Sequence, residues 1–127
     1  MDTILSFMAA DHDRLDALFQ AGTPEALAEF RAGLLRHIAW EEDVLFPLFD
    51  SQLSARSPGP TAAMRAEHRE IKDLLAQLGT DPAAATQLRA VLGAHNEKEE
   101  QMLYPAIDAA CAPEAVAAAF GRMQRIR

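Results

Sequence analysis

An all-α fold, an up-down-up-down four-helix bundle with a short C-terminal helix, is what the sequence predicts, and three observations carry it. Alanine and leucine are abundant, Gly and Pro fall at intervals, and Tyr and Trp occur once each, a composition that favours helices over packed strands. Apolar residues recur at helical spacing in four long segments. Tight turns at Gly22-Thr23 and Gly79-Thr80-Asp81 join those segments in pairs, which makes the partners antiparallel. A chain of 127 residues, half of them hydrophobic, suits one domain over 1–127 with a core of its own.

The first helix should run from Asp2 or Thr3 to Ala21, with Leu5, Met8, Leu15 and Phe19 on one stripe and His12 among them. Gly22 suits the residue after a helix, and Thr23-Pro24-Glu25 supplies the cap, first-turn proline and first-turn acid of the second. The second carries Leu27, Phe30, Leu34, His37, Glu41, Leu45 and Leu48 along one face, and Pro47 should kink it or end it between Phe46 and Leu53. Residues 51–60 read as a linker, so the chain divides into helical hairpins over about 2–50 and 61–110. Thr61 is expected to cap a third helix with the seam Met64, His68, Ile71, Leu75 and Leu78, ending near Gly79. Asp81-Pro82 should open the fourth, with the seam Leu88, Val91, His95, Glu99, Met102 and Ala106. Pro113-Glu114 starts the short helix, about 113–125, as a lid on one end of the bundle.

The seams are interrupted by the same polar groups in both halves. His37-x-x-x-Glu41-Glu42 is followed by Leu45-Phe46-Pro47, and 58 positions later His95-x-x-x-Glu99-Glu100 is followed by Leu103-Tyr104-Pro105. At an offset of 56, Met8-Ala-Ala-Asp-His12 matches Met64-Arg-Ala-Glu-His68. Each hairpin thus carries two histidines and one seam glutamate, and the four histidines of the chain are all used. Counted from the turns at ~1.5 Å per residue, the four imidazoles fall within roughly 6 Å of one level near mid-bundle.

Two carboxylates buried unpaired would cost several kcal/mol each, and no lysine or arginine occupies the seams at that level. One or two divalent cations would neutralise them, and mixed nitrogen and oxygen ligation suits iron, manganese or zinc. Residues four apart on a helix lie ~6 Å apart, so His37 and Glu41 can reach one ion. The symmetric arrangement is dinuclear, with His12 and His37 on one ion, His68 and His95 on the other, and Glu41 and Glu99 bridging. Six protein ligands on two ions ~3.5 to 4 Å apart leave room for solvent or a small diatomic. Glu42 and Glu100 lie ~100° round the helix, which favours surface or supporting roles. Trp40, Phe46 and Tyr104 read as packing residues, with the Tyr104 hydroxyl able to approach the site, and Met8, Met64 and Met102 as core filling.

The remaining totals exclude other classes. A formal charge of -7 without a basic stripe argues against a nucleic-acid partner. Cys111 stands alone, so no disulfide or thiolate cluster forms within the chain, and it reads as an inert packing residue. With no basic leader and no apolar run of membrane length, a cytoplasmic protein without a membrane partner is the expectation.

The order His12, His37-x-x-x-Glu41, His68, His95-x-x-x-Glu99, with Leu-Phe-Pro and Leu-Tyr-Pro after the glutamates, resembles the hemerythrin-like, or HHE cation-binding, domain across essentially the whole chain. The resemblance implies a pair of iron ions with an oxo or hydroxo bridge, reacting with oxygen, nitric oxide or peroxide. Lys72 stands where the respiratory hemerythrins carry a further histidine, and a His-x-x-x-Glu replaces their final His-x-x-x-x-Asp, so reversible oxygen carriage is disfavoured. The set of four His and two Glu is closer to bacterial single-domain members and to iron-sensing and iron-sulfur-repair relatives. The expected function is binding or sensing oxygen or nitric oxide; the alternatives are a di-iron enzyme acting on peroxide or nitric oxide, and an iron-handling or iron-sulfur repair protein. A ferritin-like oxidase needs Glu-x-x-His pairs, and no histidine here has a glutamate three residues before it.

Overall fold

A computed structural model describes residues 2–53 and 60–127, and the fold is the all-α bundle expected. Helix α1 (Ile4–Ala21) opens with a reciprocal cap between Thr3 and Ser6 and ends at Gly22, whose φ of 68° is the left-handed conformation that glycine adopts without strain. After the Thr23 cap, α2 (Pro24–Trp40) returns antiparallel to it. The two approach closely at Gly33, where a Cβ would sit 2.8 Å from Leu15 Cδ2. The second hairpin repeats the plan with α4 (Pro60–Ala76) and α5 (Ala84–Lys98), and α7 (Pro113–Gln124) is the closing helix.

Helices α2 and α5 do not stop at the repeated acids Glu41-Glu42 and Glu99-Glu100. Each passes through one wide turn, Glu41–Leu45 and Glu99–Leu103, before continuing as α3 (Phe46–Leu53) and α6 (Tyr104–Ala110). In each turn the hydrogen bond reaches back five residues, from Phe46 N–H to Glu41 O and from Tyr104 N–H to Glu99 O. Pro47 and Pro105, one residue further on, lack an N–H and would crowd the carbonyl four residues back, so a widened turn is where the helix absorbs them. The expected kink at Pro47 is thus a change of pitch.

That change corrects one seam assignment. Met102 was expected in the core but is 65% exposed, while Leu103, Tyr104 and Ile107 are buried. In a regular helix the third residue after Glu99 returns to the seam and the fifth lies ~140° away; the wide turn swings Met102 out and brings Tyr104 in. Two starts also differ. Pro82-Ala83 forms a turn, with Asp81 Oδ1 accepting from Ala83 N at 2.9 Å, and α5 begins only at Ala84. Thr61 lies inside α4, where its hydroxyl donates to Asp50 Oδ1 at 2.8 Å and ties α4 to α3. Of the expected linker 51–60, residues 51–53 belong to α3 and Pro60 to α4, and 54–59 lie outside the described residues.

The core consists of two apolar clusters at different levels. One packs Ile4, Met8, Phe46, Leu103 and Ile107 beneath Ala119 and Met123 of α7, with Trp40 Nε1 donating to Met123 O at 2.9 Å. The other packs Leu15, Phe19, Phe30, Leu34, Leu75 and Leu88. Asp108 of α6 receives the amides of Ile4 and Leu5 at 2.8 and 3.0 Å, an anion held at the N-terminus of α1. Half-buried Cys111 packs against the first cluster, and burial together with Asp108 pushes its thiol above the ordinary range, in keeping with an inert role. No helix among the described residues is long and apolar enough to cross a membrane.

Candidate metal centre

Between the apolar clusters lies a buried polar level containing all six residues singled out in the seams: His12, His37, Glu41, His68, His95 and Glu99. The two glutamates are fully buried. Each of them divides its oxygens between the histidine pairs. Glu99 Oε1 lies 3.3 Å from His12 Nε2 and Glu99 Oε2 3.1 Å from His95 Nε2; Glu41 Oε1 lies 3.0 Å from His68 Nε2 and Glu41 Oε2 3.8 Å from His37 Nε2. Glu41, His68, His95 and Glu99 each offer a ligand atom within 4.8 Å of the others, as do His12, His37 and Glu99, so both groups can hold a metal ion.

The other nitrogen of each ring explains why the Nε2 atoms face inward. Asp11 Oδ2 sits 2.8 Å from His37 Nδ1, Glu67 Oε1 2.7 Å from His95 Nδ1, Glu42 Oε2 2.8 Å from His68 Nδ1 and Glu100 Oε2 2.7 Å from His12 Nδ1. A carboxylate only accepts, so each assigns an N–H to Nδ1, and in the neutral ring this leaves an Nε2 lone pair aimed at the centre. The supporting roles expected of Glu42 and Glu100 are therefore filled. Asp11 and Glu67 were missed. They precede the first-helix histidine in each repeat and cross to the second-helix one, and the acid before His12 and before His68 was the available signal. Cations hold three of these carboxylates from outside: Arg14 bonds Asp11 at 3.0 Å, Lys98 bonds Glu67, and Lys72 stands 3.9 Å from Glu42. Lys72 is half exposed and directed at Glu42, so it does not stand in for a further inward ligand.

Tyr104 is the residue whose ordinary packing reading gives way. It is fully buried, and its hydroxyl reaches Glu41 Oε2 at 2.5 Å and Glu99 Oε1 at 2.9 Å. Phe46 and Trp40 are buried packing residues as expected.

The donor set fits a cation. Glu41 Oε1 and Glu99 Oε2 are buried without a hydrogen-bond partner among the described residues, and the His68 and His95 Nε2 atoms stand 3.0 and 3.1 Å away, so positive charge placed between them would satisfy both. Protonation shows the same demand for positive charge. Burial depresses His95, but Glu99, Glu41 and Glu67 outweigh it and raise it to about 9; His12 is raised likewise by Glu99 and Glu100. Burial and the adjacent Glu99 push Glu41 up, whereas Glu99, despite its own burial, is held down by contacts with Glu41, His12 and His95. Burial and the two glutamates push the Tyr104 phenol well above its ordinary range.

A cavity of about 320 Å³ between α1, α2 and α5 reaches His12 and Glu100, with Leu15, Phe19, Phe30 and Leu34 among its walls. Gly93 also lines it, and a Cβ there would meet nothing within 4 Å.

Comparison with known proteins agrees with this geometry. The family model of the hemerythrin HHE cation binding domain matches residues 3–107. The iron-sulfur cluster repair protein YtfE of Cronobacter sakazakii is 29% identical over 93 residues, which cover 65% of this chain. The match spans 42% of that relative's length. No solved structure matches the chain significantly.

Proposed function

The chain belongs to the hemerythrin HHE cation-binding domain family, and from that premise we propose that it holds two iron ions, with an oxo or hydroxo bridge, and binds or senses oxygen or nitric oxide. His12 and His37 would hold one ion, His68 and His95 the other, with Glu41 and Glu99 spanning both. The observation that carries the reading is the division of each glutamate's two oxygens between the two histidine pairs. Imidazole and carboxylate together suit iron, with manganese or zinc as the competing occupants. When bound, such a pair supplies redox chemistry and coordination positions that six protein ligands do not fill.

The chain's own residues do the rest. Asp11, Glu42, Glu67 and Glu100 fix each imidazole in the tautomer that presents Nε2. The apolar clusters on either side limit water at the polar level. The cavity beside His12 offers a small, weakly polar molecule an approach on the His12 and His37 side.

A second reading, iron handling or iron-sulfur repair, is favoured by the likeness to YtfE; a third, turnover of peroxide or nitric oxide, would use the same centre. Metal analysis of the natively purified protein should find two irons per chain. Anaerobic exposure of the reduced protein to oxygen, nitric oxide and peroxide then separates the readings. A stable adduct supports binding or sensing, and many turnovers per centre support an enzyme. No metal, together with unchanged melting of His37→Ala and Glu99→Ala, would reject the metal centre altogether.

A further inference from the structure

The two halves of the centre are not chemically equal. Tyr104 corresponds to Phe46 in the repeat, each the aromatic that precedes a proline, and both are fully buried. The Phe46 ring stacks on His68 with centroids 5.3 Å apart and brings no polar atom to that half. Tyr104 Oη, by contrast, lies 3.4 Å from His12 Nε2, 3.4 Å from His37 Nε2, 2.5 Å from Glu41 Oε2 and 2.9 Å from Glu99 Oε1. Those are the two imidazole nitrogens of one half and the carboxylate oxygen that each glutamate turns toward it. A hydroxyl that merely satisfied one buried carboxylate would need one such neighbour. All four of these donor atoms lie within 3.4 Å of this oxygen.

The geometry points to Tyr104 as a further metal ligand: its phenolic oxygen binds the ion held by His12 and His37, while the ion held by His68 and His95 has a phenyl ring in the corresponding place. The inference rests on the proposed metal centre and deepens it. On coordination the phenol O–H bond breaks, the proton leaves to solvent, and an oxygen lone pair forms the bond to the ion. No electron is transferred. An additional anionic oxygen on one ion alone also makes that half the better host for a trivalent ion.

The chain contains one tyrosine, so any tyrosinate signal has a single source. Protein loaded with ferric iron should show a visible phenolate-to-iron charge-transfer absorption and resonance-enhanced tyrosine ring vibrations that shift when the protein is grown on ring-deuterated tyrosine. Tyr104→Phe loaded with ferric iron to a measured content should lack both signals. Wild-type protein with two irons per chain and no such vibrations would overturn the assignment, as would absorption that survives in Tyr104→Phe. Failure to retain iron in the wild type would instead overturn the metal centre, and the ligand role with it. The labelled wild-type protein carries the test even if the variant does not fold.

Discussion

Four carboxylates outside the centre determine which nitrogen of each histidine enters it, and they come in two kinds. Glu42 and Glu100 support histidines of the opposite hairpin, whereas Asp11 and Glu67 support the histidine of their own. Removing either kind leaves a buried Nδ1–H unpaired and the ring free to turn. Asp11→Ala and Glu67→Ala should each weaken metal binding by roughly 10- to 100-fold, measured by competition against a chelator, while exposed Glu97→Ala changes nothing. Glu41→Ala should lose more metal than Glu42→Ala, because the first removes two oxygens from the centre and the second only orients His68; equal losses would count against the bridging assignment. Gly93→Leu tests the approach beside His12. Its side chain would enter the cavity without a backbone clash, so ligand association should slow with metal content unchanged. The six central residues were legible because each breaks an apolar seam. Asp11 and Glu67 were not, because an acid beside the seam looks like any solvated acid until the neighbouring helix is placed.

The wide turns at Glu41–Leu45 and Glu99–Leu103 convert a sequence repeat into a site. Each adds a residue to one turn, so the aromatic five positions after the glutamate joins the core beside it. Pro47 and Pro105 announced an irregularity, but proline alone does not say whether a helix bends, stops or widens. For that reason the seam was read one step out of register after Glu99. The substitution pair that reports the true register is Met102→Ala against Leu103→Ala. Exposed Met102 should cost less than about 0.5 kcal/mol, and buried Leu103 about 2 to 5 kcal/mol, in denaturant melts of the metal-free protein. Costs in the reverse order would restore a regular helix. The late start of α5 has a similar origin, since the Asp81 carboxylate closes a local turn before the helix can begin, and Asp-Pro alone is compatible with either outcome.

The bundle places a polar level between two apolar clusters, and its stability therefore depends on what neutralises that level. The clusters follow from helical periodicity, which is why the fold class could be read from the chain; the balance of protons within the centre could not, because it depends on distances between helices. In metal-free protein the raised His95 acts as part of the missing positive charge. A histidine raised in the folded state contributes stability that is complete below its unfolded value of about 6.5 and that disappears as the pH climbs to about 9. His12 is raised too and acts in the same direction. Asp11, Glu67 and Glu99, all held low, contribute the opposite dependence, present above the ordinary carboxylate range and lost as the pH falls through their lowered values. The metal-free protein should accordingly melt highest near pH 5 to 6.5, between roughly those two unfolded ranges. A bound cation must displace the His95 proton, so metal binding tightens over the window in which the metal-free protein weakens. The difference in melting temperature between metal-loaded and chelator-treated protein should therefore widen from pH 6.5 to about 9. A constant difference across that interval would mean that protons on the histidines do not compete with the metal for the same carboxylates.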